Sequence, residues 1–89
     1  MPKSLGTPEQ QVLIHRLIEM RETAGQTQRA LAATLRVSPS WVAKVETGER
    51  RLDVVEFLWW CQALNLDATA EAPPLLRAMG RSKRFGRRS

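Results

Sequence analysis

Residues 27–48 read TQRALAATLRVSPSWVAKVETG, and the spacing within them decides the fold. Leu31, Ala32 and Leu35 share one stripe at i, i+1 and i+4, which predicts a short helix over residues 28–35. A second helix announces itself at Ser38-Pro39. The serine hydroxyl can accept from the free amides of a first turn, and proline, which has no N–H, suits the first helical position. Val42 and Val45 then lie on one face, while Ser40, Trp41, Ala43 and Lys44 lie on others and Gly48 supplies a stop. Two short helices joined by a turn of three or four residues make the helix-turn-helix layout.

The flanking segments supply further helices. Thr7 is placed to cap the first, with Pro8 at its opening position and Gln10 completing a Thr-x-x-Gln box. Leu13, Leu17, Met20 and Ala24 recur at i, i+4, i+7 and i+11 and are expected to face the core, with Val12, Ile14 and Ile18 widening the stripe and Gly25 ending the helix. His15 lies off that stripe and reads as a solvated surface histidine, with no Cys or His at metal-ligand spacing. Beyond the motif, residues 49–52 form a short polar connection with Leu52 turned inward, and Asp53 is placed to cap a fourth helix. Phe57, Cys61 and Leu64, with Leu58 beside them, form its core-facing stripe. Trp59 and Trp60 point about 100° apart on a helix, so at least one is expected near the surface. Pro73-Pro74 interrupts the segment after residue 67, so the last helix is expected to start late, around Pro74, and to run through Leu75, Leu76 and Met79 to a stop at Gly80. The expected architecture is all-α, a compact bundle of four to five helices over residues 7–80, preceded by a flexible arm (1–6) and followed by a basic flexible tail (81–89).

Composition narrows the function. A chain of 89 residues makes one domain in which burial alone gives modest stability. Cys61 has no cysteine partner and sits in an apolar run, so it reads as a small core residue. With no long apolar stretch and no signal peptide, the chain is expected to be soluble and cytoplasmic, with no membrane partner. No tyrosine, one histidine and no clustered carboxylates leave little material for an active site, so no enzyme, metal or cofactor is expected. The formal charge is +5, and five of the fourteen Lys+Arg (Arg81, Lys83, Arg84, Arg87 and Arg88) fall in the last nine residues, so the whole excess lies in the tail. A basic tail alone fits membranes and RNA as well as DNA; the helix-turn-helix makes DNA the preferred anion.

The ordered set Arg21, Glu22, Gly25, Thr27, Gln28, Leu31, Ala32, Leu35, Val37, Ser38, Val42, Val45, Glu46, Gly48, Arg51, Leu52 and Asp53 resembles the lambda-repressor-like family, also called Cro-like or xenobiotic-response-element-like. Its members are DNA-binding transcription regulators, and the likeness spans most of residues 13–66; residues 65–67 resemble the family's turn into a fifth helix. One position departs from the pattern. The end of the first motif helix is often glycine in the family and is Arg36 here, so a non-glycine residue must take a demanding conformation or the turn must shift.

The resemblance implies a site. In this motif the second helix enters the major groove with its N-terminal residues toward the base edges, which puts Pro39, Ser40, Trp41 and Lys44 at or near bases. Lys44 can bond to guanine O6 and N7, Ser40 discriminates less, and Pro39 offers only van der Waals contact. Two roles suit Trp41: packing on a sugar or thymine methyl, or bracing the turn against the first motif helix. Thr27, Gln28 and Arg29 at the start of the first motif helix, and Arg50 and Arg51 beyond the second, are the expected phosphate contacts. Glu46 reads as structural, its partner either Arg21 or a loop amide. Arg81, Lys83, Arg84, Arg87 and Arg88 have three readings: further DNA contacts, which are favoured, binding to a protein partner, or solvated charge. Analogy also implies a homodimer on a pseudo-palindrome, with Trp59, Trp60, Leu66, Leu75, Leu76 and Met79 as the surface for it. The alternatives are an antitoxin, with residues 65–89 neutralising a partner toxin, and a protein-interaction module that has lost DNA binding; retention of Gln28, Ser40, Lys44 and the arginines argues against the second.

Overall fold

The computed structural model describes residues 7–81, which form five helices: α1 (Pro8–Thr23), α2 (Gln28–Leu35), α3 (Pro39–Thr47), α4 (Val54–Ala63) and α5 (Ala68–Gly80). The expected arm at 1–6 and the tail residues Lys83, Arg84, Arg87 and Arg88 lie outside the described residues.

Each helix starts where a short polar side chain meets it. Thr7 accepts from the Gln10 amide at 3.1 Å, Thr27 from Ala30 at 3.0 Å and Ser38 from Trp41 at 3.1 Å, each satisfying an amide that the helix itself cannot. Asp53 accepts from the Glu56 amide at 2.7 Å while the Glu56 carboxylate accepts from the Asp53 amide at 3.0 Å, a reciprocal capping box. Helix ends reverse through left-handed residues. Gly25 (φ 73) ends α1 and Gly48 (φ 86) ends α3, as expected. Arg36 takes the same conformation at φ 62, ψ 43, with its amide on the Ala33 carbonyl and the Val37 amide on Ala32, so the turn does not shift and the arginine bears the strain. Asn65 (φ 61) does likewise after α4, a position asparagine tolerates better than most residues.

Leu17 and Met20 of α1, Leu31 and Ala32 of α2, Val42 and Val45 of α3, and Trp60, Cys61 and Leu64 of α4 form one core. Two stripe positions differ from expectation. Ala24 is exposed because it is the cap residue of α1, past the last turn that packs. Leu58 is 41% exposed, because the side of α4 that faces inward is set by Trp60 and Cys61. Trp60 is completely buried and its indole N–H donates to the Leu17 carbonyl at 3.3 Å, so the polar end of the ring is satisfied inside the core. Trp59 is the surface member of the pair, 52% exposed.

The last helix corrects the expectation of a late start. It begins at Ala68, capped by Asp67, and passes through Pro73 and Pro74 without ending. Proline inside a helix removes a hydrogen bond and costs about 3 kcal/mol. The carbonyls left without a helical donor are those of Thr69 and Ala70, both exposed residues that water can reach. Leu75, buried beside Leu13 and Phe57, and Glu71, paired to Arg16 of α1, hold the segment in place.

Candidate nucleic-acid interface

Helix α3 divides cleanly into two faces. Val42, Val45 and Glu46 are buried, whereas Ser40, Lys44 and Thr47, at i, i+4 and i+7, form an exposed stripe that Pro39 extends at the N-terminal end. Lys44 has no ion-pair partner among the described residues. Thr47 is not among the residues expected at the interface, although its spacing from Lys44 is the signal; its hydroxyl donates to the Lys44 carbonyl at 3.2 Å.

The inner face is fixed by charge. Arg21 of α1 grips Glu46 with Nε to Oε2 at 2.7 Å and a terminal nitrogen to Oε1 at 3.1 Å, and its other terminal nitrogen donates to the Gln26 carbonyl at 2.7 Å. Of the two partners considered for Glu46, arginine is therefore the one it has. Glu46 holds the Arg21 pKa above its ordinary value, so the guanidinium stays charged where burial would oppose it. Gln28 completes the cluster, donating from its side-chain amide to Glu46 Oε1 at 2.8 Å. That amide ties the start of α2 to α3 and is not turned outward. Thr27 and Arg29 are exposed at the same helix start.

The far end of α3 is organised by Arg50. Its guanidinium lies 4.7 Å from the centroid of the Trp41 ring and makes two bonds to Glu56, at 3.1 and 2.9 Å, and one to the Arg51 carbonyl at 2.9 Å. Trp41 is half-buried and packs against the core, so it braces the start of α3 under an arginine. Glu56 keeps Arg50 raised and is itself held below the usual carboxylate range, first by Arg50 and then by the Asp53 amide. Glu56 is absent from the sequence-based expectations; the Asp-x-x-Glu spacing after a basic pair is the signal that could have found it. Arg51 is exposed, without an ion pair among the described residues. Arg81 is exposed at the end of α5.

A second surface lies on α4 and α5. Val54 (84%), Val55, Leu58, Trp59 and Leu76 (61%) are exposed, and Val54 and Leu76 edge a groove floored by Leu13, Phe57 and Leu75. Trp60 is a correction to the expected contact surface: it is completely buried within the chain and has no area to offer a partner, whereas Leu75 is buried except where it floors the groove. Leu66 and Met79 are half-buried.

A family described as helix-turn-helix domain matches residues 13–75, a span that holds the capped turn, both motif helices and the Arg21–Glu46 pair. The chain belongs to the XRE, or lambda-repressor-like, helix-turn-helix family. A solved structure, an XRE-family like protein from Pseudomonas syringae pv. tomato str. DC3000, is similar to it at 40% identity over 83% of this chain and 85% of that one, with a TM-score of 0.70. No curated protein sequence matches. Family membership makes the chain a DNA-binding regulator, in a family whose members are typically not enzymes. No helix among the described residues is long and apolar enough to cross a membrane.

Proposed function

We propose that the chain is a sequence-specific, repressor-like transcriptional regulator of the cytoplasm, which occupies a pseudo-palindromic operator as a homodimer and inserts α3 in the major groove. The observation that carries this is the exposed stripe of α3, uncompensated at Lys44 and locked from behind by Arg21, Glu46 and Gln28. Lys44 and Ser40 read base edges, with Pro39 in van der Waals contact. Trp41 stands beside them as a wall. Thr27, Arg29 and Arg51 hold the phosphates, joined by the α2 amides at Gln28 and by the basic residues from Arg81 onward.

Two copies are needed because one helix reads only a few base pairs, and half-sites one turn apart put recognition helices about 34 Å from each other. Exposed Trp59 and Leu76, with half-buried Leu66 and Met79, support pairing through α4 and α5. The same apolar surface is what an antitoxin would offer a toxin, and a small protein that co-purifies with the chain would favour that reading. Selection of binding sites from randomised duplexes tests the proposal: enrichment of an inverted repeat with half-sites about 10 base pairs apart is the expected result. Recovery of no common sequence would overturn it.

A further inference from the structure

Five cations stand on the motif and the loop after it, Arg29, Arg36, Lys44, Arg50 and Arg51, and of these five only Arg50 has an ion-pair partner among the described residues. Three of its five N–H donors are committed, two to Glu56 and one to the Arg51 carbonyl. The partner cannot easily swing away. Glu56 occupies the third position of α4, its carboxylate also accepts from the Asp53 amide at 3.0 Å, and its side chain is only 14% exposed. The guanidinium meanwhile covers Trp41 at 4.7 Å.

We propose that Glu56 is a specificity-determining residue: it withholds Arg50 from the DNA backbone and fixes it over Trp41, so that the first cation after the recognition helix does not reward non-cognate DNA. This rests on the docking of α3 in the major groove. A phosphate that took Arg50 would have to replace a carboxylate already in place, exchanging one anion for another with little counterion gain. Non-specific affinity, which counts neutralised phosphates, therefore omits Arg50, while the arginine still stiffens the wall beside Ser40 and Lys44.

The experiment compares DNA binding of the full chain with that of Glu56→Gln, on duplex from upstream of its own gene and on a scrambled duplex, across a salt series. Glutamine can still accept from the Asp53 amide, so the cap survives and only the negative charge that neutralises Arg50 is lost. The expected result is a log–log salt slope steeper by about 0.9, one more phosphate, with the scrambled duplex gaining severalfold in affinity and the selectivity ratio falling. Arg50→Met alone leaves the slope unchanged, and in the double variant the added slope disappears. Glu49→Gln, at an exposed carboxylate that is not paired with Arg50, makes the same charge change and is expected to leave the slope alone. Selective wild-type binding with no change of slope in Glu56→Gln, an equal change in Glu49→Gln, or a shallower slope in Arg50→Met would each overturn the inference while leaving the docking intact. A wild type that does not distinguish the duplexes would overturn both.

Discussion

Arg21 and Glu46 meet through two hydrogen bonds, at 2.7 and 3.1 Å, with their side chains 11% and 5% exposed, and through them α1 dictates how the recognition helix is seated. Removing one partner leaves the other charge buried. Arg21→Ala is expected to destabilise the fold by about 3 kcal/mol, measured by urea unfolding, and to lower Tm by roughly 12 °C or more. Arg21→Lys is expected to recover only part of this, since an ammonium cannot reproduce the fork.

Arg36 gives a prediction of the opposite sign. At φ 62 it occupies a conformation that glycine adopts without strain. Arg36→Gly is expected to raise stability by about 0.5–1 kcal/mol, the relief of left-handed strain exceeding the added freedom of the unfolded chain. Thermal unfolding checks it; a lower Tm would mean that the arginine side chain makes a compensating contact.

These two positions mark what the sequence discloses and what it does not. Thr7, Thr27, Ser38 and Asp53 are legible because a cap is a bond across three residues, and Gly25 and Gly48 because a left-handed turn selects its residue. The Arg21–Glu46 contact spans 25 residues, so the motif reserves a role for Glu46 without choosing its partner. Which tryptophan turns inward depends on how α4 is rotated, a property of the packed bundle. The pair Pro73-Pro74 misleads most: a local penalty reads as a helix start, whereas the helix runs through both prolines with Leu75 buried and Glu71 paired to Arg16 of α1. Of the interface, the stripe of Ser40 and Lys44 follows from spacing, while the engagement of Gln28 and Arg50 by glutamates requires the fold.

Cys61 is completely buried, and that burial pushes its thiol up to about 11. The thiolate is the reactive form, so at pH 8 folded protein is expected to resist alkylation, with labelling at the rate of global unfolding. The shift also sets a sign. A pKa raised above the unfolded value of about 8.5 contributes stability that is present below that pH and lost between it and 11. Fast labelling of native protein would place the thiol outside the core.

The two tryptophans separate folding from assembly. Trp60→Ala is expected to cost about 4 kcal/mol of stability, as loss of a fully buried ring does. Trp59→Ser, at the exposed neighbour, is expected to leave monomer stability within about 0.5 kcal/mol and to weaken the proposed dimer at least about tenfold by sedimentation equilibrium. Unchanged association would remove α4 from the interface.

The central claim is that the outer face of α3 reads sequence, and fluorescence anisotropy tests it most directly. The purified chain and its Lys44→Ala variant are titrated at several salt concentrations on duplex from upstream of its own gene and on a scrambled duplex. The expected result is that the native duplex binds about a thousandfold tighter at physiological salt and that Lys44→Ala costs about 1–3 kcal/mol on that duplex alone. Equal, weak binding to both duplexes, vanishing as salt rises and indifferent to Lys44, would contradict it.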